Sequence, residues 1–489
     1  MEQSKKSFLK NMVGFSMMTW ITFVIGFIAS PIGTRLFTPE EMGKINMFNT
    51  LASLFGSLCY LGLDQAFVRF FLEPPAGSSR KGLVTFCAAT SVGFGVLSSL
   101  GLSLGWRAIS ARVTGTADAG VFVCLCVFSV SNVLFRYLSL CFRMEQNARW
   151  YTVQGVLQAL LCKIAYLAIG FGDASARPAI LLLTALMGLF TLCYAVLERK
   201  RFALGALREV SKPFVKEISL FAAPLIPLTV ITWLNSSMST VILDELLSKS
   251  AVGIYTSALG LASSINIIQT GFNAYWAPYV YENYKTDNKR RFYTVHRLMA
   301  CLLTGFGLTV TLLQTPVFLL LGKSFRGSVV FFPFLFLSPI CYCLSETTGM
   351  GIGISKKSYW NTIIFLVSAA ANIALCYLLI PPMGATGAAV ASAASAMISL
   401  GMRTVVGERY YKAITNYKYA AYTVGLMLAA SGANLLLADQ AALKYAALLA
   451  IYALALVLFR KELKTLWQTA VQVWHEGAGA LKKKAGGTP

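Results

Sequence analysis

Long apolar segments recur along the whole 489-residue chain, and they constrain its fold more than any other feature. Each is about 20 residues long, the length that a helix needs to cross the hydrocarbon core of a bilayer. Charged residues make up only 13% of the chain, against about 25% in soluble proteins. These features exclude a soluble globular enzyme and predict an all-α integral membrane protein. We count fourteen spanning helices, with approximate limits 11–34, 45–71, 83–104, 119–142, 151–171, 179–197, 217–242, 250–273, 293–312, 327–349, 358–380, 384–406, 417–437 and 441–459.

Lysine and arginine are distributed unevenly between the two sides of the predicted membrane. With the N-terminus placed inside, 29 of the 42 basic residues fall in inner segments, nine in outer loops and four at membrane depth. The side with the excess is predicted to be cytoplasmic, so both termini are expected in the cytoplasm. The same distribution explains the net charge of +22 through topology and attraction to anionic lipid headgroups. Membrane lipids are therefore expected partners, and nucleic acid is not.

A weak internal repeat relates the two halves of the chain at an offset of 210 residues, at which Gly43 falls on Gly253. Parallel repeats of this kind build transporters whose substrate site lies between the repeats. We predict two pseudo-symmetric six-helix lobes around a central cavity, then two further helices and a cytoplasmic amphipathic helix with a basic tail. The predicted divisions are 1–205 and 206–410 for the lobes, 411–460 for helices 13 and 14, and 461–489 for the amphipathic helix and tail.

We single out six ionisable residues inside the predicted spans, where exposure of each one to lipid costs about 3 kcal/mol or more. They are therefore expected to face protein or water. The basic ones are Arg69, Arg136, Lys163 and Arg297, and the acidic ones are Asp64 and Glu346. A cavity lined by this surplus of positive charge suits an anionic cargo. Alternatively, the three arginines snorkel to the interface and Asp64 pairs with a nearby cation. Asn235 is a further candidate ligand, with interhelical hydrogen bonding as its alternative role.

No constellation typical of catalysis or of a bound cofactor is found in the sequence. A Walker A motif and a Gly-x-Ser-x-Gly motif are both absent, and His296 and His475 are the only histidines. A histidine-based metal site is therefore not expected. We expect a protein that is not an enzyme and holds no metal or cofactor. Its energy would come from an ion gradient, the membrane potential or the gradient of its cargo.

Several short motifs resemble those of the polysaccharide-export flippases, which belong to the multidrug/oligosaccharidyl-lipid/polysaccharide exporter superfamily. The first predicted helix is followed by RLFTPEEMG at 35–43, and LGLDQAFVRFF occupies 61–71. The second half carries VGIY at 252–255, FNAYWAP at 272–278 and LIPPMGATGAA at 379–389. Each motif is short, but their order and spacing make the set specific to the superfamily.

The resemblance implies a flippase for an undecaprenyl-diphosphate-linked oligosaccharide, working by alternating access in the bacterial cytoplasmic membrane. It would carry its cargo from the inner to the outer leaflet for surface polysaccharide biosynthesis, with a glycan polymerase and glycosyltransferases as further partners. In combination with the charge pattern, it makes Asp64 and Glu346 candidates for ion or proton coupling. The residues expected to bind the diphosphate or acidic sugars are Arg136 and Lys163, followed by Arg69, Arg297 and Asn235.

Three alternatives stay open. The lipid II flippases resemble this chain in having fourteen helices, but they carry arginines in the first helix, whereas residues 11–34 contain no Arg or Lys. Cation-coupled multidrug exporters of the same superfamily favour carboxylates in the cavity, which disagrees with the basic surplus here. A protein of another class, a non-transporting scaffold for glycan-assembly enzymes, would be insensitive to changes in a cavity.

Overall fold

The computed structural model describes residues 2–75, 79–202, 205, 210–286, 289–412, 414, 416–468 and 471, and these contain no β-strand. The helices of the first half are α1 (Glu2–Leu36), α2 (Pro39–Cys59), α3 (Leu63–Phe70), α4 (Arg80–Leu102), α5 (Trp106–Thr114), α6 (Ala119–Met144), α7 (Ala148–Lys163), α8 (Ala176–Leu197), α9 (Lys212–Ala222) and α10 (Leu225–Leu246). Those of the second half are α11 (Lys249–Ala262), α12 (Asn266–Asn283), α13 (Lys289–Leu312), α14 (Gln314–Leu319), α15 (Phe332–Leu335), α16 (Leu337–Thr348), α17 (Met350–Ile354), α18 (Tyr359–Met383), α19 (Ala385–Tyr410), α20 (Lys418–Leu436) and α21 (Ala441–Leu458).

Among the residues that the structure describes, eleven helical segments are long and apolar enough to cross a membrane, and the number rises to fourteen when each of three bent pairs counts as one span. The all-helical fold and the span number agree with the sequence prediction. The bends measure 53° between α2 and α3, 40° between α11 and α12, and 70° between the turn at 323–330 and α15–α16. Residues 460–468 are also helical, but most of the predicted amphipathic helix and basic tail lies outside the described residues.

Local sequence explains both ends of α2. Thr38 caps the helix by accepting a hydrogen bond from Glu41 N–H at 3.3 Å, and Pro39 occupies the first turn, a position where proline is well tolerated. The span breaks after α2 because Leu61 (φ 52°) and Gly62 (φ 72°) adopt left-handed backbone conformations. A Cβ atom at Gly62 would lie 2.5 Å from Ala222 O, so the break requires glycine.

The chain divides into two compact units. The first unit comprises Met1–Ile267, Phe318–Ser328 and Phe365–Ala391. A buried core inside it joins α2, α3, α4, α6 and α9, with Phe67, Leu83 and Tyr137 among its fully buried side chains.

The second unit comprises Ile268–Val317, Val329–Ile364 and Ser392–Pro489. Trp276, Phe292 and Met350 form one of its buried clusters, in which the Trp276 and Phe292 ring centroids are 5.8 Å apart. The divisions predicted from the sequence at residues 205, 410 and 460 stay predictions.

Inside the first unit, α2 and α11 approach each other closely at positions that are 210 residues apart. A Cβ at Gly43 would lie 1.8 Å from Lys249 O, and a Cβ at Gly253 would lie 2.0 Å from Pro39 O. The contact is therefore symmetric, because residues 39 and 43 of one helix meet 249 and 253 of the other. Only glycine at both positions allows the backbones to come so near. The 210-residue offset of the sequence repeat thus corresponds to a direct contact between equivalent helices.

Candidate functional site

Lys163 lies at the C-terminal end of α7, where the chain changes from an α-helix to 3₁₀ turns over Ala165–Phe171. A cation is favourable there because unpaired carbonyl groups give a helix C-terminus partial negative charge. The Lys163 Nζ donates a hydrogen bond of 3.1 Å to Thr22 O on α1. Gly26, one turn further along α1, makes room for the ammonium group, since a Cβ there would lie 3.0 Å from Nζ.

The Lys163 side chain lines a cavity of about 330 Å³ within the first unit. Helices α1, α2, α7 and α11 form its walls. This volume is in the range of small-molecule sites, which are mostly apolar with a few convergent polar groups. The polar lining consists of Lys163 with Ser30, Asn46, Asn49, Tyr166, Thr256, Ser257 and Ser263, and the apolar lining includes Phe23, Phe27 and Met42.

Asn46 and Thr256 connect the two repeat-related helices inside this cavity. Asn46 Nδ2 donates a hydrogen bond of 2.7 Å to Thr256 Oγ1, and Thr256 Oγ1 donates in turn to Val252 O at 2.7 Å. The two residues are 210 positions apart, like the glycines of the neighbouring contact. The charge and motif patterns of the sequence did not indicate Asn46, Asn49 or Thr256. The repeat offset was the available signal, because it aligns Asn46 with Thr256 next to the matched glycines.

Arg136 lies beside Asp64 instead of facing the cavity of Lys163. Arg136 Nη2 and Asp64 Oδ2 are 3.4 Å apart, and Gln65 Nε2 donates to the same carboxylate oxygen at 2.9 Å. The Asp64 side chain is 10% exposed and the Arg136 side chain is 40% exposed. Asp64 also occupies the first turn of α3, where the helix dipole stabilises a carboxylate. This arrangement matches the alternative in which Asp64 pairs with a nearby cation.

We expect Arg136→Gln to lower stability by about 1 kcal/mol or more, because it leaves the largely buried Asp64 carboxylate without its cation. The double variant Arg136→Gln/Asp64→Asn should recover most of this loss, since it removes both charges. Thermal unfolding of the purified proteins measures the coupling between the two side chains. The single variant Asp64→Asn completes the cycle, and a loss in the double variant equal to the sum of the two single losses would show that the ion pair contributes nothing to stability.

The predicted residues of the second unit are also paired with opposite charges. Arg297 binds the side chain of Glu462, which is 1% exposed, through Nε at 2.8 Å and through Nη2. Arg403 Nη1 donates to Glu346 Oε1 at 2.7 Å. Arg403 falls inside the predicted span 384–406 but is not among the six residues singled out from the sequence. Its position inside a predicted span is the sequence signal that indicates such a partner.

The two remaining predicted residues are Arg69 and Asn235. Arg69 and Glu73 are 3.9 Å apart, and both side chains are more than half exposed. Asn235 Nδ2 donates to Phe365 O at 2.7 Å and to Ile231 O at 3.2 Å. It therefore links α10 to α18, which is the interhelical hydrogen bonding expected as its alternative role. Their predicted roles in substrate binding stay predictions.

Lys163 differs from the other five intramembrane ionisable residues in its electrostatic surroundings. Across the part of the chain that the structure describes, no carboxylate lies within 4.0 Å of its ammonium group, whereas each of the other five has an oppositely charged partner. The same part of the chain contains no group of three His, Cys, Asp or Glu side chains suited to a metal ion. The cavity thus combines one uncompensated cation with neutral hydrogen-bonding groups, an arrangement that can bind an anion.

Comparison with known proteins gives a family match and a fold match. A family model described as polysaccharide biosynthesis protein matches residues 8–283. No curated protein sequence matches the chain. Among solved structures, the fold is similar to that of the lipid II flippase MurJ in an inward closed conformation, with a TM-score of 0.67, 11% sequence identity, and coverage of 92% of this chain and 99% of that chain. It is also similar to an inward-facing multidrug resistance MATE family transporter of the MOP superfamily, with a TM-score of 0.56, 13% identity, and coverage of 82% and 95%.

Proposed function

The chain belongs to the family of polysaccharide biosynthesis proteins, and from that premise we propose that it flips an undecaprenyl-diphosphate-linked oligosaccharide across the bacterial cytoplasmic membrane. The membership confirms the sequence resemblance and makes the chain a multi-pass membrane transporter of the flippase class. Movement from the inner to the outer leaflet, cytoplasmic termini, and partnership with glycosyltransferases and a glycan polymerase are parts of the same proposal.

The uncompensated Lys163 in its cavity is the observation that carries this proposal. The Lys163 side chain is exposed to the cavity, and an ammonium group that no carboxylate neutralises is free to attract an anion. A lysine ammonium offers three hydrogen-bond donors to phosphate oxygens. We therefore assign Lys163 to the diphosphate of the cargo, while the prenyl chain stays in the bilayer.

The ion pairs suggest how the remaining charges take part. Asp64 with Arg136 and Glu346 with Arg403 are charged pairs inside predicted spans. Protonation or cation binding at either carboxylate would weaken its pair and free the arginine, so the two acids stay our candidates for coupling. Before they could contact the cargo directly, four other predicted residues would have to release their present partners: Arg136, Arg69, Arg297 and Asn235.

Lipid II is the second candidate cargo, since the fold is similar to that of a lipid II flippase over 92% of this chain. Like the first candidate, lipid II carries a diphosphate, so the Lys163 cavity alone does not choose between them. A cationic drug is disfavoured because the cavity contains a cation and no carboxylate among its described lining residues.

Reconstitution of the full chain into liposomes tests the proposal. Each vesicle preparation contains one labelled cargo: a polyprenyl-diphosphate oligosaccharide, lipid II or a cationic dye. A membrane-impermeant quencher then reports the fraction of label that has crossed to the outer leaflet. We expect movement of the oligosaccharide lipid. Movement of lipid II alone would favour the second candidate, and movement of the dye alone would refute both.

A further inference from the structure

The exposed face of α10 is unusually polar for a membrane-spanning helix. Thr229, Thr232, Trp233 and Ser236 follow the spacing i, i+3, i+4 and i+7, which places them on one side of the helix. Thr232 and Ser236 are exposed. Next to this face, Ser239 is buried and donates to Asn372 Oδ1 at 3.0 Å. The hydroxyl groups of Thr229, Thr232 and Ser236 donate to backbone carbonyls of the same helix, so their oxygens remain available as acceptors.

This face meets a polar face of α2. Trp233 Nε1 donates a hydrogen bond of 3.0 Å to Ser53 Oγ, and the bond is exposed. Ser53 Oγ donates to Thr50 O at 2.7 Å, so the serine hydroxyl is held as an acceptor for the indole. The bond fixes the orientation of the ring, which is half-buried. An oriented indole beside exposed hydroxyl groups is therefore available to a ligand.

The Trp233–Ser53 pair lies on the same face of α2 as the cavity of Lys163. Asn46, Asn49 and Ser53 are spaced i, i+3 and i+7, and the first two line the cavity. Ser53 is about 10 Å from Asn46 along the helix axis, given a rise of about 1.5 Å per residue. No charged residue occurs in 45–59 or 225–243. The cation and the indole thus mark two chemically different sites along one continuous polar face.

We propose that Trp233, oriented by Ser53, forms a subsite for a neutral sugar ring of the lipid-linked saccharide whose diphosphate binds at Lys163. This inference rests on the proposed function. One face of a pyranose ring presents C–H groups, which are attracted to the negative face of an aromatic ring. Its hydroxyl groups find acceptors in the oxygens of Ser53, Thr232 and Ser236. Because the subsite has no cation, it selects neutral sugars next to the diphosphate and gives acidic sugars no advantage.

Binding of two lipids to the purified full chain tests the subsite. One probe is polyprenyl diphosphate, and the other is the same lipid bearing a single neutral sugar. We expect the wild type to bind the sugar-bearing lipid about tenfold more tightly, which corresponds to about 1.4 kcal/mol. Trp233→Ala should abolish that preference and leave the affinity for polyprenyl diphosphate unchanged. Trp233→Phe, which keeps an aromatic face and much of the volume, should retain part of the preference.

Trp360→Ala is the matched control, because Trp360 bonds Tyr410 in the second unit and has no place in the subsite. It should leave both affinities unchanged. A sugar preference that survives in Trp233→Ala, or an equal loss of affinity for both lipids in that variant, would overturn the subsite. A wild type that binds both lipids equally would overturn the subsite alone. A wild type that binds neither lipid would refute the proposed function together with the subsite.

Discussion

Replacement of Lys163 by methionine should reduce transport of the lipid-linked saccharide by about 30-fold or more. Methionine keeps an unbranched side chain of similar length, so it fills the same space beside Gly26 but brings no charge. Loss of one partner from a desolvated pair of charges costs about 2 kcal/mol or more, which is about 30-fold in affinity. The liposome quenching assay measures the rate, and the amount of protein in the membrane is determined in parallel.

Two further variants make the Lys163 result specific. Lys163→Arg keeps the positive charge and should retain most of the transport. Lys323→Met removes an exposed lysine of the same unit that does not line the cavity, so it should transport at the wild-type rate. Normal transport by Lys163→Met at a normal protein level would remove the diphosphate site from the cavity.

Substitution of Gly253 by alanine should reduce transport by about tenfold or more. The added Cβ would lie 2.0 Å from Pro39 O, and backbone atoms cannot move aside as a flexible side chain can. The helices α2 and α11 must therefore separate at this point, and overpacking of this kind costs about 1–3 kcal/mol. The substitution therefore destabilises the state of the transport cycle in which α2 and α11 are in contact, and transport slows because that state is populated less. Gly43→Ala should act in the same way, because its Cβ would lie 1.8 Å from Lys249 O.

Gly93→Ala is the control for the glycine variants, since a Cβ at Gly93 on α4 would meet no atom within 4 Å. It should transport normally. The double variant Gly43→Ala/Gly253→Ala should be little worse than either single one, because one separation of the helices relieves both clashes. Wild-type transport by Gly253→Ala would mean that the close α2–α11 contact is not needed in the transport cycle.

Helix positions were predictable because hydropathy is a local property. The last two spans were predicted at 417–437 and 441–459, and the structure has them at Lys418–Leu436 and Ala441–Leu458. The break at Leu61–Gly62 was not predicted. Gly62 has a left-handed backbone conformation there, and the carbonyl oxygen of Ala222, 160 positions later, leaves no room for a Cβ atom. Only glycine therefore fits at this position. A hydropathy pattern holds no information on such a contact.

Membrane insertion, the helical class and the surplus of basic residues follow from the sequence by itself, because each residue meets lipid or water according to its own polarity. Which of the four predicted intramembrane cations lacks a carboxylate partner followed only from the tertiary structure. Arg136 and Asp64 are 72 positions apart, Arg403 and Glu346 57, and Arg297 and Glu462 165. Pairing of such distant charges depends on how each helix is rotated and on which helix it contacts. These are properties of the packed protein, and they leave Lys163 as the cation available to a negatively charged cargo.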